Sequence, residues 1–141
     1  MGSITSFRGK YAFLSNFYDA TITYDGLTYQ NSEAAFQAQK CVQDYDKKKF
    51  CNLNPSEANR LGRHVQLRTD WDSIKYRKMY EIVKAKFEQN DELRGKLIAT
   101  GDAYLEEGNT WGDRIWGTVN GVGENHLGIT LMAVREELLV K

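Results

Sequence analysis

The run Asn31-Ser32-Glu33-Ala34-Ala35-Phe36-Gln37-Ala38-Gln39-Lys40 constrains the fold of this chain more than any other stretch. Asn31 or Ser32 can accept hydrogen bonds from the free amides of a first helical turn, and helix formers follow, which predicts a helix opening at about Glu33. At roughly 100° per residue, Ala34, Ala35, Ala38, Cys41 and Val42 share one apolar arc, whereas Glu33, Gln37 and Lys40 line the other side. Small residues on that arc let a neighbour pack close. Glu33 lies at the positive end of the helix macrodipole, which suits a charge stabiliser or base. The same placement also fits a solvated helix whose early acid and late base merely complement the dipole.

Upstream, residues 4–30 alternate and are rich in aromatic and β-branched types, with Asp25-Gly26 between Ala20–Tyr24 and Leu27–Tyr29. An Asp-Gly pair supplies the positive φ of a tight hairpin turn, so the N-terminal third reads as a small antiparallel sheet. Arg8 and Ser15-Asn16 fall at breaks between these runs, where side chains can face a cleft. Downstream, residues 44–51 read as a short polar helix, and Asn54-Pro55 opens another that stops at Gly62. Residues 64–68 alternate like an extended piece. Asp70 is placed to cap the longest helix, about 71–88, with Tyr76, Met79, Tyr80, Val83 and Phe87 as its apolar stripe. Asn90-Asp91-Glu92 starts a helix to about Ala99, residues 103–106 are strand-like, and Asn120-Gly121 forms a tight turn. Asn125 then caps a last helix striped by Leu127, Leu131, Val134 and Leu138.

At 141 residues the chain suits one domain spanning 1–141, large enough to bury a core without staples. Basic and acidic residues number 19 each, so the global basicity of a nonspecific nucleic-acid binder is absent. Local patches at 47–49 and at Arg60, Arg63 and His64 are the basic candidates. Cys41 and Cys51 fall outside metal spacing, and with only two histidines no zinc set forms, so we expect no metal, no cofactor and a reducing, cytoplasmic compartment. No apolar run approaches a membrane span and no secretory signal opens the chain. Met1-Gly2-Ser3-Ile4-Thr5-Ser6 fits the permissive N-myristoylation pattern, which we read as coincidence.

Two further stretches carry chemical content. In Trp111-Gly112-Asp113-Arg114-Ile115-Trp116-Gly117, two indoles bracket an Asp and an Arg, and adjacent glycines let a flat ligand approach. Stacking on a base is worth about 1 to 3 kcal/mol per ring. Either tryptophan could instead be core, with Asp113 paired to Arg114. Gly121-Val122-Gly123-Glu124-Asn125 leads into the last helix, where exposed amides form a natural phosphate site, or simply a turn plus cap. It lacks the Lys-Ser/Thr of a Walker loop and the third Gly of a dinucleotide fingerprint. A carboxylate at a helix start, an amine two turns on, a second carboxylate between indoles and phosphate donors fit cleavage of an N-glycosidic bond. Carboxylates stabilise oxocarbenium character, and a primary amine can capture an opened sugar as a Schiff base.

These residues resemble the NADAR, or YbiA-like, N-glycosidase family. The resemblance runs through Phe7-Arg8-Gly9 and Phe13-Leu14-Ser15-Asn16-Phe17, then Ser32 to Ala38 with Lys40, then Leu61-Gly62-Arg63. It continues through Trp71, Lys86-Phe87, Thr100-Gly101, Trp111, Asp113, Trp116-Gly117, Gly123, Asn125 and Leu127-Gly128, covering nearly the whole chain. It implies a compact, helix-rich α+β domain with a small antiparallel sheet and a polar, metal-free cleft. It also implies hydrolysis between ribose and an exocyclic aryl amine. The substrates implied are ADP-ribosylated guanine in DNA or RNA, placed first, and ribosylamino-pyrimidine phosphates of riboflavin synthesis. By the resemblance Glu33, Lys40 and Asp113 are catalytic. Arg8, Asn16, Trp71, Trp111, Trp116, Gly117, Gly123 and Asn125 bind substrate. A non-catalytic module that binds ADP-ribose or a related nucleotide is the alternative from another class.

Overall fold

The computed structural model describes residues 2–140; Met1, which opens the acylation pattern, lies outside the described residues. In chain order the elements are β1 (Ser3–Ile4), a 3-10 turn (Gly9–Leu14), β2 (Asp19–Tyr24), β3 (Leu27–Asn31) and α1 (Ser32–Ala38). There follow α2 (Asp44–Lys47), a second 3-10 turn (Lys48–Phe50), α3 (Pro55–Gly62), α4 (Trp71–Gln89) and α5 (Asp91–Ala99). The chain closes with β4 (Tyr104–Leu105) and α6 (His126–Leu139). Two compact units emerge, Asn16–Asn90 on the one hand and Met1–Ser15 with Asp91–Lys141 on the other.

In the unit Asn16–Asn90, β2 and β3 form the expected antiparallel hairpin, pairing Ile22 with Tyr29 and Tyr24 with Leu27. Asp25 and Gly26 both take positive φ, at 51° and 84°, which is why this dipeptide and few others can turn here. Helix α1 follows the hairpin directly. The Asn31 side chain accepts the amide of Ala34 at 2.7 Å, and every residue of α1 is buried. Helix α3 carries a complete capping box, Asn54 to the Glu57 amide and Glu57 back to the Asn54 amide, with Pro55 at its first position. Phe36 of α1 packs on Trp71 at the head of α4, ring centroids 5.1 Å apart.

The long helix α4 keeps its expected span, and Met79, Val83 and Phe87 of its expected stripe face inward, but the stripe's tyrosines do not join them in the core. Trp71, Ile74, Met79, Ile82, Val83, Lys86 and Phe87 are buried, whereas Tyr76 is exposed. Tyrosine hydroxyls favour water, so the aliphatic residues won the core face. Lys86 is fully buried with its ammonium 5.9 Å from the Tyr18 ring centre and 5.2 Å from that of Phe87, and burial pushes its pKa down to about 7. Asp70 does not cap α4 through its side chain; the carboxylate pairs with Arg68 at 2.6 Å instead. Asn90 likewise donates its side-chain amide to the carbonyls of Thr21 and Lys86. Residues 64–68 form no strand.

In the second unit the N-terminal segment departs from the expected antiparallel sheet. Ser3 and Ile4 pair parallel with Tyr104 and Leu105, and residues 9–14 wind into a 3-10 turn. Helix α6 buries Leu127, Leu131, Val134 and Leu138 as its spacing predicts, together with Leu97 of α5 and Leu105 of β4. Full burial of each such side chain stabilises by roughly 1.5–3 kcal/mol. Gly128 lets α6 lie directly on β4, since a Cβ there would sit 2.0 Å from the Leu105 carbonyl oxygen. No described helix is long and apolar enough to cross a membrane.

Candidate active site

Helix α1 sets the first carboxylate. The Glu33 amide donates to the Asn16 carbonyl at 3.1 Å, so Asn16 positions the first turn through its backbone, and its side chain reaches the Met79 thioether at 3.5 Å. Glu33 is only 8% exposed and Gln37 only 7%, which rules out a solvated polar ridge. The carboxylate is held on one oxygen: Gln37 Nε2 donates to Glu33 Oε2 at 2.8 Å, and Asn59 Nδ2 of α3 donates to the same atom at 3.1 Å. None of the described residues bonds Oε1, so that oxygen retains its lone pairs for a ligand.

Asn59 in turn accepts from Arg63 Nη2 at 2.7 Å, which fixes its amide orientation, oxygen toward Arg63 and nitrogen toward Glu33. Gly62 completes the arrangement. A Cβ at Gly62 would fall 2.0 Å from Gln37 Oε1, so the amide that holds Glu33 fits only because position 62 has no side chain. The Gly62 carbonyl accepts from Lys40 Nζ at 3.3 Å.

Lys40 is not on the helix. α1 ends at Ala38, and tightening turns carry the chain on, with the Lys40 amide bonded to the Gln37 carbonyl and its own carbonyl accepting the Arg68 amide. Val42, assigned by spacing to the buried arc, is therefore 63% exposed. The Lys40 side chain is half-buried, and its pKa is lowered below the ordinary lysine value. Burial is the largest cause; Glu33 opposes it and the positive charge of Arg63 adds to it. A lowered pKa enlarges the fraction of free amine, the nucleophilic form.

Of the other expected site residues, Trp71 is 7% exposed and packs on Phe36, a core position. Arg8 lies exposed just before the first 3-10 turn. Asp113 Oδ1 accepts the amides of Ile115 at 3.0 Å and Trp116 at 2.9 Å, and its loop is tied back by Asn109. Asp113 does not pair with Arg114. Trp111 is 64% exposed, and Trp116 is half-buried, edge-on to His126 at 6.1 Å.

The glycine-rich turn is not a phosphate cradle. The amides of Glu124, Asn125, His126 and Leu127 donate to the carbonyls of Arg114, Gly117, Ile115 and Trp116, so the start of α6 is closed by the chain itself. The Asn125 side chain is buried and does not cap α6: it accepts the Glu107 amide and donates to the Leu105 carbonyl. Gly117 and Gly123 admit backbone, not ligand. A Cβ at Gly117 would meet the Glu107 oxygen at 2.1 Å, and one at Gly123 the Gly117 oxygen at 2.4 Å. Lys47, in the candidate basic run, is buried.

Asn59, by contrast, carried no signal in the sequence, and Gly62 and Arg63 stood out as part of a family motif, a helix stop and a basic patch, with no role at the site assigned to either. Asn59 and Arg63 lie four apart on one face of α3, which was legible, but nothing local says that this face meets Glu33.

Residues 5–139 match the NADAR domain. N-glycosidase YbiA of Shigella boydii is 41% identical over 135 residues, covering 93% of this chain and 84% of that protein. A riboflavin biosynthesis protein of Vibrio vulnificus is 41% identical over 133 residues, covering 92% of this chain and 36% of that protein. The NMR structure of E. coli YbiA matches with a TM-score of 0.85 at 38% identity, over 99% of this chain and 84% of that one. The helix-rich α+β fold expected from the motifs is the fold of that structure.

Proposed function

This chain belongs to the NADAR domain family, and from that premise we propose that it is an N-glycosidase cleaving the bond between ribose and an exocyclic aryl amine. One observation carries the reading: Glu33 is buried and anchored through Oε2 alone, and Lys40, beside it, has its ammonium form disfavoured by burial. A carboxylate with one committed and one open oxygen can move protons without moving itself. Lowering a lysine's pKa enlarges its nucleophilic, free-amine fraction.

In this reading the ribose ring opens first. The electron pair of the exocyclic nitrogen forms a C1′=N bond as the C1′–O4′ bond breaks, and O4′ takes a proton from Glu33. The free amine of Lys40 adds to C1′, and Glu33 passes the amine proton to the departing nitrogen. The aryl amine leaves and a lysine–sugar imine remains. Water adds to C1′ and gives one proton back to Glu33; its other proton moves to the lysine nitrogen as the C1′–N bond breaks, which releases the aldehyde sugar and regenerates Lys40 as the free amine. Asp113 keeps Oδ2 open and Trp111 exposes its ring, groups able to take a hydroxyl and a flat base respectively.

The names of the relatives favour small ribosylamino-pyrimidine phosphates as substrate. The exposed Trp111 ring supports the second substrate, ADP-ribosyl guanine in nucleic acid, because an open indole can take a base presented on a strand. Purified protein incubated with each substrate, with released sugar followed by mass spectrometry, tests both. Ribose 5-phosphate from the pyrimidine supports the first and ADP-ribose from guanine the second. Silence from both would replace the enzyme by a nucleotide-binding module. Borohydride should trap sugar on Lys40; an unmodified lysine during turnover would mean direct attack by water.

A further inference from the structure

Arg63 is exposed at the end of α3, and its guanidinium is anchored at one nitrogen only, Nη2 on Asn59 Oδ1. No described carboxylate pairs with it. The remaining N–H groups of an anchored guanidinium form an oriented, open fork, the geometry that takes two oxygens of a phosphate. Its position relative to Glu33 is set by a single relay, with Arg63 bonded to Asn59 and Asn59 to Glu33 Oε2. One carboxamide and two hydrogen bonds therefore separate the open fork from the carboxylate. In a ribose 5-phosphate the phosphate lies across the ring from C1′, and that molecule spans a gap of this order.

Charge points the same way. Arg63 lies close enough to Lys40 for its positive charge to disfavour the ammonium form, so with Lys40 as the free amine Arg63 remains a cation for a phosphate to meet beside Glu33. In the other phosphate candidate of the sequence, the turn before α6, the amides of Val122, Glu124 and Asn125 are occupied by the chain's own carbonyls.

We propose that Arg63 binds the phosphoryl group on the 5′-oxygen of the scissile ribose and makes the protein selective for phosphorylated over unphosphorylated ribosides. The proposal rests on the N-glycosidase reading. It serves either substrate named there, since both carry a phosphoryl group at that oxygen.

The test compares a ribosylamino-pyrimidine with and without its 5′-phosphate, in wild type, Arg63→Gln and Arg63→Lys. Arg63→Gln should raise KM for the phosphorylated substrate roughly 10- to 100-fold more than for the unphosphorylated one, as loss of a charge-assisted contact requires. Arg63→Lys should recover part of that difference, because it restores the charge without the fork. An equal change in KM on both substrates, or an equal fall in kcat on both, would overturn the proposal and leave Arg63 as a support for Asn59. Calorimetric titration with ribose 5-phosphate and with ribose separates this from failure of the N-glycosidase reading. If wild type cleaves neither substrate, that reading fails. A preference for ribose 5-phosphate that Arg63→Gln abolishes still supports the Arg63 assignment, and the absence of such a preference overturns it.

Discussion

Glu33 receives its two hydrogen bonds from side chains on two helices, whereas Asp113 receives its two from the backbone of its own loop. In each case both bonds converge on one oxygen. For Asp113 the donors are two and three residues away, so the geometry belongs to the segment 109–117 and would survive changes elsewhere. For Glu33 one donor is a turn along α1 and the other is Asn59, so the geometry exists only because α1 and α3 pack closely enough to exclude a Cβ at Gly62. Asp113 is a local construction and Glu33 a tertiary one. Sensitivity to remote substitution should therefore differ sharply between them.

The largest contrast is expected from Glu33→Gln, which should lower kcat by about 10³-fold, the usual weight of a proton-transferring carboxylate, while thermal melting shows the fold intact. Retention of wild-type turnover would remove Glu33 from the chemistry. Next, Gly62→Ala should lower kcat by about 10²-fold, although alanine favours the helix over glycine by roughly 1 kcal/mol. The added methyl must displace either the Gln37 amide from Glu33 or the end of α3 from Lys40. In a Gln37→Ala background the same substitution should cost much less; equal cost in both backgrounds would show that Gly62 does not act through Gln37.

A smaller effect is expected at the local carboxylate. Asp113→Ala should reduce stability by about 1–2 kcal/mol in denaturant titration through loss of both backbone bonds, and Asp113→Asn should retain most of it by keeping an acceptor oxygen. If the two variants are equally unstable, the loop is not held by that oxygen. The smallest effect concerns pH. Lys40 must be neutral to attack, so kcat/KM should fall as pH drops through its lowered pKa. The positive charge of Arg63 contributes to that lowering, so Arg63→Gln should move this acid limb to higher pH. Movement to lower pH would contradict the electrostatic account.

What could be read from the sequence follows the same division. Asp25-Gly26 needs positive φ, Asn54-Pro55 with Glu57 satisfies orphan amides, and the α6 stripe repeats at helical spacing; each signal lies within a few residues of its consequence. The segment 4–17 misled because a period-two pattern does not name a partner: only Ile4 pairs, with β4 about a hundred residues away, and residues 9–14 wind into a 3-10 turn. The stripe of α4 held at Met79, Val83 and Phe87 and failed at Tyr76, because a tyrosine counts as apolar in a periodicity but keeps a hydroxyl that prefers water. Asn125 and Gly123 looked like ligand groups because their chemistry suits a phosphate, yet the Gly117 carbonyl accepts the Asn125 amide and sits where a Cβ of Gly123 would be.

The sequence by itself determined the family, the hairpin, the caps of α1 and α3 and the identity of Glu33 and Lys40 as candidate groups, because those rest on local backbone preferences and on motif order. Only the tertiary structure decided that Glu33 is buried on Asn59 and Gln37, that Gly62 must lack a side chain, and that Arg63 is left with an open fork. Those facts depend on which faces of α1 and α3 meet. Facing is settled by the fit of whole side chains across a packed interface, which no local spacing encodes.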